Sequence, residues 1–483
     1  MESILRELKN NHALKLIGNL TQGCPQEIYL VGGALRDLFL KRKKEVPDFD
    51  FAVSSSAIAL SRKIAQKLQC PLVILDKRHG SSRIIYKKND FSCNFDFTDF
   101  RGKDIAEDLL HRDFTINSLA VNVKAIKNAK NINDILIDNF SARKDIRAKT
   151  IRIISEFSFP EDPLRILRAF SLSAVLNFRC EAKTKSAIRK YKGKISSSAF
   201  ERITEELFKI LNSENGFKII KAMDALKVLD EFMPEIKSMR KVNQGPYHHL
   251  DVYGHSLETL KQIERLFAQL KMNKDIQGYV NQVISATHTK RGLLKLGAFL
   301  HDIGKPVSKE RVGAKTCFHG HERAGRNIVR EISERLRLSN DERSALDKII
   351  FWHLRPGYMA DIEPLTHRAT YRFFRDAQDE AVSILLLSIA DQRSTRGSLT
   401  RGENRRHHEA VCLGLVKEYF RKKRERKFPK LLNGFEVMKH FKLSPGPFIG
   451  KILREIEEAQ AIGEIEDKKE ALEVAKRIIQ EKK

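Results

Sequence analysis

The sequence predicts an α+β chain, in which a mixed N-terminal head (a sheet flanked by helices) is followed by an all-helical neck and body, a second helical domain and a helical tail. Three observations carry this. Between Glu27 and about Val123, short β-rich runs at 28–31, 49–53, 72–75, 83–86 and 91–97 alternate with helical stretches. From Pro163 to about Met239 apolar residues instead recur at three and four spacing, as in Leu164, Ile166, Leu167, Phe170 and Val175. A chain of 483 residues also exceeds what one core organises. A turn-rich break at Asn243-Gln244-Gly245-Pro246 and a basic run from Arg421 to Arg424, which leads to a long amphipathic helix from Phe448 on, divide the remainder. The predicted segments are 1–140, 141–242, 243–402 and 403–483.

Hydrophobic residues make up 41% and charged residues 31%, and no apolar run approaches the roughly 20 residues that a bilayer requires. The opening residues, Met1 to Arg6, read as a short amphipathic helix and not as a secretion signal, so no membrane association and a cytoplasmic location are expected. Six cysteines without a CxxC pair are neither a zinc framework nor a disulfide scaffold. A net charge of +27 favours a polyanionic partner, RNA or DNA first, through long-range attraction and counterion release. A solvated basic surface has the same composition, so the decision falls to the chemistry.

Asp48 and Asp50, separated by one residue in an extended apolar segment, point to one side of a strand. That side can share two Mg²⁺ ions, one activating an attacking hydroxyl and the other steadying a departing pyrophosphate. Upstream, Gly32 and Gly33 follow a strand and precede a helix, letting backbone N–H groups approach phosphate, while Arg36 adds a cation. Asp96, in Phe95-Asp96-Phe97 on a neighbouring strand, is the candidate third carboxylate.

The run Leu30-Val31-Gly32-Gly33, then Arg36-Asp37, then Asp48-Phe49-Asp50-Phe51 resembles the first motif of the class II CCA-adding tRNA nucleotidyltransferases and bacterial poly(A) polymerases of the polymerase-β superfamily. His111 to Ala120 is similar to that family's second motif, which implies sugar and phosphate contacts by Arg112, Asp113 and Asn117; His111 stands where the family usually has Arg. Ile137-Asp138, with Asp145 to Arg147 and Ile151-Arg152, resembles the third, hinge motif. Glu161-Asp162-Pro163-Leu164-Arg165-Ile166-Leu167-Arg168 is like the fourth, an amino-acid template.

The template logic follows from the residues. Asp162 and Arg165, three apart, are expected on one helix face. A carboxylate accepts from the exocyclic amine of cytosine or adenine and a guanidinium donates to the adjacent ring nitrogen or carbonyl, whereas uracil and guanine present the opposite edge. Arg168, one turn on, would steady base or phosphates. On spacing alone a helix cap with Asp162 bridged to Arg165 is preferred; the other motifs, in family order, reverse that preference. Ser171 replaces a further family Arg, and only residues 101–106 separate the strand run from Glu107-Asp108-Leu109, where CCA-adding members carry a longer loop. That shortening resembles CC-adding relatives and favours CC over complete CCA addition.

The second helical domain is rich in histidine. His255, His301-Asp302 and Asp391 stand on or at the ends of predicted helices, and two imidazoles with two carboxylates suit Mn²⁺, Fe²⁺, Ni²⁺ or Mg²⁺ better than a structural zinc site. Their order resembles the HD superfamily of metal-dependent phosphohydrolases, which implies that His321 and His353 bind a second metal and that Lys305 meets phosphate. Any one of these histidines alone would be read as a packed core residue, as His248 and His249 are. The resemblance implies tRNA, CTP and ATP as partners. It leaves open a poly(A) polymerase, or an RNA-binding protein that keeps only its hydrolase, and it leaves the oligomeric state undetermined.

Overall fold

The computed structural model describes residues 2–43, 46–88, 91–313, 315–425 and 429–481. The chain forms two compact units, Met1–Phe232 and Met233–Lys483.

In the first unit the strands are β1 (Ile28–Val31), β2 (Asp48–Val53), β3 (Leu72–Asp76), β4 (Ser81–Lys88), β5 (Phe91–Asp99), β6 (Ala120–Asn122) and β7 (Leu136–Ile137). They make one sheet in the order β3-β4-β5-β2-β1-β6-β7. Its centre is the parallel pair β2 and β5, with Phe49 opposite Phe95, Asp50 opposite Asp96 and Phe51 opposite Phe97. Because side chains alternate along a strand, this register sends Phe49, Phe51, Phe95 and Phe97 to one face and Asp48, Asp50 and Asp96 to the other. Phe51, Phe95 and Phe97 are fully buried, and Phe51 stacks on Phe97 with ring centroids 5.0 Å apart. Each such ring contributes about 1.5–3 kcal/mol by burial, so a one-residue slip that turned the aspartates inward is strongly disfavoured.

Beyond the sheet, the helices Arg165–Leu176, Ala182–Tyr191, Phe200–Asn212 and Gly216–Ala225 continue the first unit. The region read as purely helical also contains a parallel two-residue pairing between β8 (Thr150–Ile151) and β9 (Arg179–Cys180) and a single antiparallel bridge from Ile153 to Phe114. Strands this short leave no period in the sequence.

The second unit is built around Ala381–Ser394, a helix whose residues 381–390 are all buried, against Val252–Gln269, Lys290–Leu300 and Gly402–Arg424. Its two small hairpins, β10 (Val283–Ser285) with β11 (His288–Thr289) and β12 (Glu310–Val312) with β13 (Lys315–Cys317), also fall where only helix was expected. The single tail helix expected from Phe448 is two helices, Pro447–Ala461 and Lys468–Gln480, parted by a turn with Gly463 at φ +79°. Their apolar faces close a core with Leu432, Val437, Ile452 and Ile456. Glu458, 1% exposed, ties this core to the His367–Ala377 helix through Arg368 at 3.1 Å and Arg372 at 2.8 Å. Among the described residues no helix is long and apolar enough to cross a membrane.

Candidate active sites

In the head, Asp48 and Asp50 share the sheet face opposite the phenylalanines, and Asn94 donates to Asp48 Oδ1 at 2.9 Å. Gly32 caps the following helix at φ +74° and ψ −136°, a conformation essentially confined to glycine. A Cβ there would stand 3.2 Å from Asp50 Oδ2 and 3.5 Å from Arg112 Nη1. Gly32, Asp50 and Arg112 therefore converge, with Arg112 braced by Asp108 at 3.0 Å. Gly33 opens the Gly33–Phe39 helix, and a Cβ on it would stand 3.4 Å from Arg36 Nη2. Asp96 lies in register with Asp50, but its carboxylate is gripped by Arg83, which the sequence did not single out.

Arg36 does not stand open as the expected phosphate cation. It is 7% exposed, donates to Asp37 Oδ1 at 2.9 Å and to Asn117 Oδ1 at 2.7 Å, and so fixes Asn117. Asn117 in turn donates to Asp113 Oδ1 at 3.0 Å, and Asp113 Oδ2 meets Arg168 Nη2 at 3.1 Å. This relay joins three motifs far apart in sequence. Burial alone pushes the Asp113 carboxyl up, yet Arg168, the Asn117 amide and the Phe114 N–H together bring it below its ordinary value.

The expectation that Asp162 and Arg165 share a helix face is corrected. Asp162 is the extended C-cap of the short Ser158–Glu161 helix, and the next helix begins only at Arg165, because Pro163 disfavours helical backbone in the residue before it. Nor does Asp162 bridge to Arg165. Asp162 Oδ1 accepts from the Leu164 N–H at 3.2 Å, and Arg202 reaches Oδ2 at 3.0 Å. Arg165, 5% exposed, donates to Ser158 Oγ at 2.7 Å and to the His111 carbonyl at 2.8 Å, and pairs with Glu161 at 3.3 Å. Burial lowers its pKa. Asp162, Arg165, Arg202, His111 and Arg101 nevertheless line one cleft of about 820 Å³. Ser171 is buried and donates to Glu206.

In the second unit the predicted ligands meet as two groups, His255 with His301 and Asp391, and Asp302 with His321 and His353. Gly304 permits this meeting: a Cβ there would lie 2.1 Å from the His321 carbonyl oxygen, so only without one can the chain after Asp302 press directly on the start of the His321–Arg335 helix. Asp302 faces both groups, Oδ2 at 3.2 Å from His301 Nε2 and Oδ1 at 3.4 Å from His321 Nε2. In each of His301, His321 and His353, Nδ1 lies 2.6–3.0 Å from the carbonyl three residues before it, the kind of contact that fixes the tautomer of a metal-binding histidine and leaves Nε2 free to ligate. His301 Nε2 is buried without a hydrogen-bond partner. These donors fit one or two divalent ions of the imidazole–carboxylate type.

The electrostatics agree with that fit. Burial pushes His301 down, but Asp302 and Asp391 outweigh it and raise the group to about 10, whereas burial and the neighbouring His301 and His321 drive His353 to about 3. Positive charge is favoured between the carboxylates. Lys305 lies 2.7 Å from Asp302 and donates to Gln244 at 2.7 Å. His248, set aside by sequence reasoning, stacks edge-on against His255 with centroids 4.7 Å apart. Nothing in its spacing marked it.

Four family models match the chain: "Poly A polymerase head domain" at 28–152, "Probable RNA and SrmB- binding site of polymerase A" at 177–240, "HD domain" at 252–396, and tRNA nucleotidyltransferase domain 2 at 429–475. An A-adding tRNA nucleotidyltransferase of Deinococcus radiodurans is 28% identical over 92% of this chain and 94% of its own length. A CC-adding tRNA nucleotidyltransferase of Thermus thermophilus is 27% identical over 92% of each. The Thermotoga maritima CCA-adding enzyme complexed with tRNA shares the fold at a TM-score of 0.63 and 22% identity, over 100% of this chain and 98% of that one. Relatives aligned nearly end to end, and domain models following one another in the order of the predicted motifs, make this chain similar along its length to CCA-adding tRNA nucleotidyltransferases, with a poly(A)-polymerase-type head domain and an HD domain.

Proposed function

We propose that the chain extends tRNA 3′ ends without a nucleic-acid template, adding CMP from CTP, with CC addition favoured over complete CCA addition, and that its second unit is a metal-dependent phosphohydrolase. In this reading the head is 1–140, the neck and body 141–242, the HD domain 243–402 and the tail 403–483. The observation that carries the transferase reading is the convergence of Gly32, Asp50 and Arg112: a glycine-type backbone turn, beside a carboxylate and a guanidinium, is what a triphosphate needs.

Asp48 and Asp50, with Asp96 as third carboxylate, would hold two Mg²⁺, which activate the RNA 3′-hydroxyl and offset charge on the departing pyrophosphate. Arg112 meets the triphosphate, and Asn117, held by Arg36 and Asp113, faces the sugar. Asp162 reads the exocyclic amine. Its present partner Arg202 is about half exposed, and such surface pairs are worth only about 0–1 kcal/mol, so an incoming base can displace it. Arg165, already oriented by Ser158 and His111, completes the reading, and Arg168 steadies it through Asp113.

CC addition is supported by the link between β5 and the Ile105–Leu110 helix. Arg101 N–H donates to Asp108, Lys103 N–H to Glu107, and Asp104 caps the helix, so the short connection is tied down and has little freedom to reshape the cleft for adenine. The Deinococcus relative favours A addition as the second reading. Purified protein given tRNA lacking its last three nucleotides, and separately tRNA ending in CC, with CTP, ATP or both, separates these readings by sequencing the products. Two added C residues are expected; A added only to tRNA ending in CC selects the second reading, full CCA excludes the tied-loop argument, and long A tails indicate a poly(A) polymerase.

In the HD domain His255, His301, Asp302 and Asp391 would hold the first divalent ion, such as Mn²⁺, Fe²⁺, Ni²⁺ or Mg²⁺, and His321 and His353 a second shared through Asp302. Such ions would polarise a phosphate ester toward hydrolysis. Lys305 lies at their edge to receive a phosphate oxygen.

A further inference from the structure

The Arg165–Leu176 helix begins at the template cleft, and Asn177 closes it twelve residues on, about 18 Å away at 1.5 Å per residue. At that far end lies a separate cavity of about 720 Å³, within the roughly 300–1,000 Å³ of small-ligand pockets. Phe170, Phe178, Ile219 and Leu226 give it an apolar floor. Five exposed cations surround that floor: Lys149 from the turn before β8, Arg179 from β9, Lys185 and Arg189 from the Ala182–Tyr191 helix, and Lys218 from the Gly216–Ala225 helix. Among the described residues no carboxylate lines the cavity, and none of the five makes an ion pair. Glu181, the acid next to β9, is taken by Arg152 at 3.0 Å. Exposed cations elsewhere in this unit do find acids, as Arg202 finds Asp162 and Lys190 finds Glu156.

We propose that this cavity is a second anion site, separate from the template cleft, that binds a compact polyphosphate carrying an apolar body, of which a nucleoside triphosphate is the common form. Five like charges around one concavity repel one another in the unliganded protein, and an anion that puts several charges into one small volume relieves that repulsion best. A monophosphate leaves most of the cations unmatched. An RNA backbone spreads its charge along a line, whereas these cations surround a single floor. That floor is suited to a base, which leaves water when the phosphates are held at the rim. The inference depends on neither the transferase nor the hydrolase reading.

Cys180, half-buried in the cavity wall, reports occupancy without turnover, and the half-buried Cys24, Cys70 and Cys317 serve as internal controls. The full-length protein, in a chelator that withdraws divalent ions, is alkylated with iodoacetamide in the presence of ATP, tripolyphosphate, AMP or an RNA hairpin, and each cysteine is followed by peptide mass spectrometry. ATP is expected to protect Cys180 and not the other three, at concentrations about tenfold below those at which AMP does so, with tripolyphosphate between them. Lys185→Ala combined with Lys218→Ala removes two of the five like charges; it should leave the melting temperature unchanged or raised, and should raise the half-protecting ATP concentration about tenfold. Equilibrium dialysis of ATP against wild type and the double variant makes the same comparison without the thiol. Equal protection of all four cysteines, equal ATP binding by the two proteins, or protection by the RNA hairpin alone overturns the proposal, and the last result would make the cavity part of an RNA-binding face.

Discussion

Arg83 grips Asp96 with two hydrogen bonds of 2.7 Å, Nε to Oδ1 and Nη2 to Oδ2, on the strand face that also carries Asp48 and Asp50. Asp96 draws the guanidinium pKa up despite burial, and Asp48 and Asp50 add to the pull. The residue proposed as third carboxylate is thus pre-positioned by a cation that shares the field of the other two.

If Asp96 acts at the metals, Asp96→Asn lowers CMP incorporation by about 10³-fold, a loss of several kcal/mol, while Arg83→Ala, which leaves the carboxylate in place, costs about tenfold. Steady-state incorporation at several Mg²⁺ concentrations distinguishes the two. Equal losses would mean that Asp96 serves only to anchor Arg83.

Gly32→Ala should be costly twice over. The backbone conformation alone costs about 1–3 kcal/mol for any residue with a Cβ, and the methyl would stand tightly, 3.2 Å, against Asp50 Oδ2. A lowered melting temperature together with a rise in KM for CTP is expected. Wild-type KM in a folded variant would remove the phosphate-approach role from this turn.

The Asp113 relay makes a pH prediction. With its folded pKa below the ordinary value near 4, Asp113 contributes stability that is present above that range and is lost as pH falls through the folded pKa. Urea midpoints of wild type should therefore decline in acid more steeply than those of Asp113→Asn. Parallel curves for the two proteins would show that Arg168 and Asn117 do not hold a charged partner.

Asp302 faces both ligand groups, whereas His353 belongs to one. After loading with Mn²⁺, Asp302→Ala should lose metal from both positions, and His353→Ala should retain the first, as read by elemental analysis. An ion at about 100 times its dissociation constant adds about 2.7 kcal/mol to the folded state, so chelation should lower the wild-type melting temperature and leave that of Asp302→Ala unmoved. An Asp302→Ala protein with wild-type metal content would dismiss the shared-carboxylate arrangement.

The sequence by itself determined the alternation Asp-Phe-Asp-Phe, the glycine pair before a helix and the helical period after Pro163, because each is a local pattern, and the order of the histidines and aspartates from His255 to Asp391 singled out the six that gather in the second unit. Strand period alone places Asp48 and Asp50 on one face, and the order of motifs suffices to name the family. Tertiary structure alone decided which charge meets which. Arg83 found Asp96, Arg202 took Asp162 in place of Arg165, Arg36 turned inward to Asn117, and Gly304 let Asp302 reach His321. With 89 lysines and arginines for 62 acids, spacing cannot select among so many compatible partners. Burial can, since a charge removed from water keeps only the partner that packing places within hydrogen-bond reach.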